Sequence, residues 1–129
     1  MKILLDSQVL VWLLYDPERV GVQSVKLIEN AAAVYVSYLS LWELAIKFSK
    51  NKIKMPYSPG ELLSGTEALG LECLNIRDDH LTRLPNIKTP HADPFDRMLI
   101  AQTEAEGCYL LTSDRELLST KYKTLPATT

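Results

Sequence analysis

Asp6, Glu43, Asp93, Asp96 and Asp114 stand out by where they fall along the chain. Asp6 closes the apolar run Ile3-Leu4-Leu5, and Asp114 follows the run Leu110-Leu111-Thr112. Asp93 and Asp96 flank Pro94-Phe95 at the head of a helical stretch, and Glu43 lies early in another. Each acid has a purely structural explanation. Asp6, Asp93 and Asp114 can cap helices by accepting from free backbone N–H groups. Ser40-Leu41-Trp42-Glu43 has the spacing of a capping box, with Lys47 one turn beyond Glu43. Asp96 would sit in a first helical turn, where the dipole favours negative charge. Taken together, though, all five fall at a strand end or a helix start. In a parallel α/β sheet those positions share one edge. Carboxylates crowded there repel unless neutralised. An oxygen-only ligand set suits Mg²⁺ or Mn²⁺, and no histidine or cysteine supplies a zinc spacing. Such an ion can lower the pKa of a bound water and stabilise a departing oxygen, which is phosphodiester chemistry.

The elements that must carry these residues follow from period and punctuation. Lys2–Asp6 reads as a buried strand, with Ser7 as the cap of a helix to about Tyr15, stopped at Asp16-Pro17. Val22–Asn30 is amphipathic with helical spacing, and Ala33–Ser37 is a strand. Ser40 opens a helix to about Lys50. Ser58-Pro59-Gly60-Glu61 is a capping box with proline at the first helical position, and that helix ends near Gly70. Leu71–Ile76 is a third strand, Asp78–Leu84 a short helix and Pro85–Pro94 a proline-rich loop. The helix opened by Asp93-Pro94 runs to Glu106, with Gly107 as its stop. Tyr109–Thr112 is a strand, Asp114 caps a short helix to about Ser119, and Tyr122–Leu125 is an edge strand. Strands alternate with helices and are continuously apolar. This predicts one α/β domain over residues 1–129, with a central, mainly parallel sheet covered by helices on both faces. Ligands in such sheets bind beyond the carboxyl ends of the strands.

The totals agree with a single globular domain. The chain has 129 residues, 47% apolar and 23% charged, and can bury a core without staples. No apolar run approaches the roughly 18 residues of a membrane span, and Met1–Leu5 lacks the layout of a secretory signal, so a cytoplasmic protein is expected. Cys73 and Cys108, far apart and in apolar stretches, read as reduced buried thiols. The formal charge of −2 argues against nucleic-acid binding by bulk electrostatics alone. Lys47, Lys50, Lys52 and Lys54 form the basic cluster, either a solvated face or a contact to phosphates. His91 is either packed against the prolines or orients a carboxylate. His80 reads as a helix-surface residue, and Trp12 and Trp42 as core.

Four stretches carry a family resemblance: Leu4-Leu5-Asp6-Ser7-Gln8-Val9-Leu10, Ser40-Leu41-Trp42-Glu43-Leu44-Ala45-Ile46-Lys47, His91-Ala92-Asp93-Pro94-Phe95-Asp96-Arg97-Met98-Leu99-Ile100-Ala101-Gln102 and Leu111-Thr112-Ser113-Asp114. In that order and over nearly the whole chain, the sequence resembles PIN-domain ribonucleases, specifically the VapC-like toxins of type II toxin–antitoxin pairs. The resemblance implies a Mg²⁺-dependent endoribonuclease, often dimeric and inhibited by a cognate antitoxin. Its catalytic and metal-holding acids would be Asp6, Glu43, Asp96 and Asp114, joined by Asp93. Ser7, Lys47, Lys50 and Arg97 are candidate substrate contacts. The opening motif, usually Asp-Thr-His, here reads Asp6-Ser7-Gln8. Ser7 keeps a hydroxyl that can orient Asp6.

Three rival classes make different demands on these residues. A haloacid-dehalogenase-like phosphatase needs a second aspartate where Gln8 stands. A receiver domain needs a phosphoacceptor aspartate after a central strand, and the strand ending at Ser37 has none. A catalytically silent binding domain would keep the fold and lose the chemistry.

Overall fold

The computed structural model describes residues 1–51, 56–90 and 92–129. Lys52, Lys54 and His91 lie outside the described residues. Strands β1 (Lys2–Leu5), β2 (Ala33–Ser37), β3 (Glu72–Leu74), β4 (Tyr109–Thr112) and β5 (Thr124–Pro126) form one sheet in the order β3-β2-β1-β4-β5. Every pairing is parallel. Helices α1 (Ser7–Tyr15) and α2 (Val22–Asn30) link β1 to β2, with a 3₁₀ turn at Pro17–Arg19 between them. Helices α3 (Tyr38–Lys50) and α4 (Pro59–Ala68) link β2 to β3. Helices α5 (Asp78–Arg83) and α6 (Pro94–Glu106) lead to β4, and α7 (Arg115–Leu118) leads to β5. No described helix is long and apolar enough to cross a membrane.

Alternation along the strands divides the core between the two faces. Leu4 and Leu110 pack with Leu99 and Ile100 of α6. Ile3, Leu5 and Leu111 pack with Val9, Leu10, Leu44 and Leu62 of α1, α3 and α4. Strand β1 is central, with β2 on one side and β4 on the other. Chain order therefore reverses between β1 and β4, and the crevice beyond their carboxyl ends is where such sheets bind ligands. There β1 runs straight into Asp6, and β4 ends in Thr112.

Several elements begin elsewhere than the sequence suggests. The cap of α1 is Asp6, whose carboxylate accepts from the Ser7 N–H, so Ser7 is the first helical residue. Helix α3 starts at Tyr38, capped by the Ser37 hydroxyl accepting from the Leu39 N–H. The chain passes from β2 into α3 without a loop, which brings the last strand residue onto the helix's open N–H groups. Ser40 is then buried in the first turn, and no capping box with Glu43 forms. The third strand is shorter than expected, and the last begins at Thr124. His80 is not a surface residue: it is fully buried, with Nδ1 accepting from the Arg77 N–H at 2.9 Å. Trp42 is not core but 58% exposed, its ring edge against Phe95. Cys108 is buried and Cys73 half-buried, both as free thiols. The capping of α4 by Ser58 and of α6 by Asp93, and the left-handed Gly107, fall where the sequence places them.

Candidate active site

Asp6 is buried at the end of β1. Its Oδ1 accepts from the Ser7 backbone N–H at 2.7 Å, and its Oδ2 accepts from the Thr112 hydroxyl at 2.6 Å. The Thr112 oxygen also accepts from the Asp114 N–H at 3.0 Å. Thr112 thus links the acids that end β1 and follow β4. It occupies the register position next to Asp6, one step beyond the Leu5–Leu111 pair.

Glu43 reaches the same network from α3. The Ser7 hydroxyl donates to its Oε1 at 2.9 Å. Ser7 therefore holds both acids, Asp6 through its backbone and Glu43 through its side chain. Its hydroxyl orients Glu43 rather than Asp6.

Burial is the largest influence on both carboxyls and raises both above the usual range. For Asp6, bonds from Thr112 and Ser7 oppose burial, Asp114 adds to the rise, and Lys47 offsets a little. For Glu43, the Ser7 bond and Lys47 oppose burial, while Asp6 and Asp93 add to the rise. Two neighbouring carboxylates are held in place with less positive charge than their ionised forms need.

Asp93 and Asp114 also cap helices. Asp93 Oδ1 accepts from the N–H groups of Phe95 and Asp96 at 2.8 and 3.4 Å. Asp114 Oδ1 accepts from Glu116 and Leu117 at 2.8 and 3.3 Å. Asp93 shares an open cleft of about 450 Å³ with Glu43, Lys47, Lys50 and Phe95. Asp96 is half-buried in the first turn of α6. Arg97 points its guanidinium to the carbonyls of Ile87 and Leu84, at 3.3 and 3.1 Å, bracing the turn before α6.

Ser7 and Thr112 thus join Glu43, Asp6 and Asp114, and Asp93 lies beside Glu43, without these acids closing into a tight cage. Among the described residues, the three potential ligands whose atoms all lie within 4.8 Å of one another are Asp79, His80 and Glu106. That group already has its cation. Arg77 pairs with Glu106 and lies 3.8 Å from Asp79, while His80 Nε2 is 2.8 Å from Glu106. Burial pushes Glu106 up, but the bonds from His80 and Arg77 outweigh it and leave the carboxyl below its usual value. We assign this group to bracing α5 against α6. The Asp6–Glu43 pair is the reverse case, with raised carboxyls that offer a metal oxygen atoms only. Mg²⁺ keeps several waters and needs one or two carboxylates, so the Asp6–Glu43 pair fits it.

The PIN domain family model matches residues 3–122, from β1 to the turn before β5. The chain belongs to the PIN domain family. Among curated proteins this PIN domain is similar to Ribonuclease VapC22 of Mycobacterium tuberculosis (strain ATCC 25618 / H37Rv). The two are 27% identical over 123 residues, covering 93% of this chain and 92% of that protein. Among solved structures it is similar to a chain of VapBC2 from Rickettsia felis bound to a DNA fragment from their promoter. That match has a TM-score of 0.73 and 15% identity over 98% of both chains. DNA-bound VapBC from Salmonella typhimurium gives a TM-score of 0.71 and 17% identity, also over 98% of both. At these identities the structural matches establish the PIN fold.

The acids of this PIN domain and Ser7 stand out in the sequence; Thr112 does not. The available signal was a hydroxyl residue ending an otherwise apolar strand, at the carboxyl edge and beside Asp6.

Proposed function

We propose that this PIN domain is a metal-dependent endoribonuclease, the toxin of a type II toxin–antitoxin pair. It would use Mg²⁺ or Mn²⁺, act on RNA as a homodimer and be held inactive by a cognate antitoxin. The observation that carries the reading is the Asp6–Glu43 pair at the strand-order switch, Asp6 buried and Glu43 half-buried, both raised and locked by Ser7 and Thr112. Support comes also from a curated relative named as a ribonuclease and from structural relatives that are VapBC complexes.

In this reading Asp6, Glu43, Asp96 and Asp114 hold the ion, with Asp93 beside them. The bound cation supplies positive charge for the attacking and leaving oxygens of a phosphodiester. Ser7 and Thr112 act as positioning residues. Glu43, with its carboxyl raised by burial and oriented by Ser7, is placed to take the water's proton. Water oxygen bonds to phosphorus as the bond to the departing ribose oxygen breaks; Glu43 takes the water's proton, and solvent protonates the leaving group. Lys47 and Lys50 contact flanking phosphates, while Arg97 keeps the α6 entrance rigid.

The test is incubation of purified protein with a structured RNA pool, in Mg²⁺ and in EDTA, beside Asp6→Asn. Cleavage that needs Mg²⁺ and fails in the variant is expected. A wild-type protein that leaves the pool intact in Mg²⁺ would instead be a catalytically silent binding domain.

A further inference from the structure

A second cavity, of about 510 Å³, opens between α1 and α3, and Lys47 and Lys50 line both it and the acidic cleft. Its wall carries Trp12, Tyr15 and Tyr57, with Gln8 and Arg19. The rings of Tyr15 and Tyr57 are stacked, 3.6 Å between centroids and 5° from parallel. The Arg19 guanidinium lies 5.5 Å from the Trp12 ring centre and pairs at 3.6 Å with Asp16, which also lines the cavity, so Lys47 and Lys50 carry its positive charge. The proposed catalysis uses none of these aromatic groups. Aromatic faces interleaved with cations are the surface that single-stranded nucleic acid selects, because every base has a face to stack and every nucleotide a charge to pair. A pocket of this size is in the range that encloses a small ligand.

We propose that this cavity is a nucleobase subsite, taking one unpaired base of the RNA strand whose backbone crosses the Lys47–Lys50 ridge. The phosphate on the ridge is shared by two spaces: its base enters the aromatic cavity, and the neighbouring phosphodiester lies over Asp6 and Glu43. The exposed Gln8 amide, with one donor and one acceptor group at the cavity wall, reads the base edge. The enzyme then prefers single strands and loops, because a paired base cannot leave its stack without the cost of unpairing. The inference rests on the ribonuclease reading and deepens it.

The probes are fluorescent single-stranded 10-mer RNAs, one for each base at a central position and one abasic there, and a duplex control, with affinity read by anisotropy in EDTA. Loss of a stacked base corresponds to a roughly 5- to 150-fold weakening, expected for the abasic probe with wild type and for Tyr15→Leu with intact strands. Tyr15→Phe should retain the affinity, and Gln8→Ala, at an exposed position, should level the differences among the four bases. The salt slope should stay unchanged in all three variants, because no charge is removed. Equal affinity for abasic and intact strands, or equal losses on duplex and single strand, would overturn the subsite. If wild type cleaves RNA in Mg²⁺ while these affinities do not move, the subsite fails and the ribonuclease reading stands. If wild type neither binds nor cleaves RNA, both fail together.

Discussion

Thr112 Oγ1 lies 2.6 Å from Asp6 Oδ2, and this hydroxyl is the strongest opposition to the burial that raises the central acid of the crevice. The two side chains are both buried, so no water replaces the bond when it is removed. Thr112→Val keeps the shape and deletes the donor. A hydrogen bond to a charged group contributes about 1.5–3 kcal/mol, and thermal melts at neutral pH should show a loss of that order. Because the bond favours the ionised carboxylate, its loss moves the acid limb of the pH–rate profile to higher pH. An unmoved limb would mean Asp6 ionisation does not govern the rate.

Ser7→Ala removes the bond that opposes the burial of Glu43. The carboxyl then rises further and is no longer oriented. Loss of a partner that orients a metal-binding or catalytic group typically costs 10–100-fold in affinity or activity. The expected result is a drop in that range, with cleavage recovering as pH increases. Ser7→Thr, which restores a hydroxyl, should recover most of it.

Asp6 also sets a stability trend. Its folded-state pKa is raised from an ordinary value near 3.8. The native state therefore binds this proton more tightly than the unfolded chain, and its contribution falls as pH rises through the raised value. Asp6→Asn should be more stable than wild type in EDTA, on the order of 1 kcal/mol near pH 7, with the difference shrinking toward pH 4. Millimolar Mg²⁺ should reverse the order, because only the binding form is stabilised. A variant that melts below wild type in EDTA would show that the Ser7 and Thr112 bonds outweigh the burial of charge.

The two acids of α6 should divide their labour. Asp93 Oδ1 is occupied by two helix N–H groups, and asparagine caps as well as aspartate. Asp93→Asn should therefore melt like wild type and keep measurable cleavage. Asp96→Asn should melt normally and abolish cleavage. The opposite ranking in a cleavage assay would assign the ion chiefly to Asp93, which already adds to the rise of Glu43.

Lys47 and Lys50 should act on substrate through charge. Replacing each with alanine should weaken RNA binding and flatten the plot of log affinity against log salt by about 0.7 per lost phosphate contact. Lys47→Ala should additionally raise Glu43 and Asp6, since its charge lowers both. A salt slope equal to wild type would make these lysines surface residues.

The sequence by itself determined the alternation of strands and helices, the parallel sheet and the shared edge of Asp6 and Asp114. Those features depend on local period and punctuation, written within a few residues of each other. Apolar Ile3-Leu4-Leu5 before Asp6, and Pro94 after Asp93, can be read without knowing what lies across the sheet. Only the tertiary structure decided what each acid touches. Ser7 meets Glu43 from 36 residues away, and Thr112 meets Asp6 from 106 away. It also decided that Ser37 rather than Ser40 caps α3, so Glu43 is released from a capping box to face Ser7. His80 was legible as a helical residue, but its burial depends on Glu106, which α6 brings across from the other end of a helix. Hydrogen bonds and desolvation act through space at a few ångströms, and that distance is set by how β1, β4 and the helices over them pack.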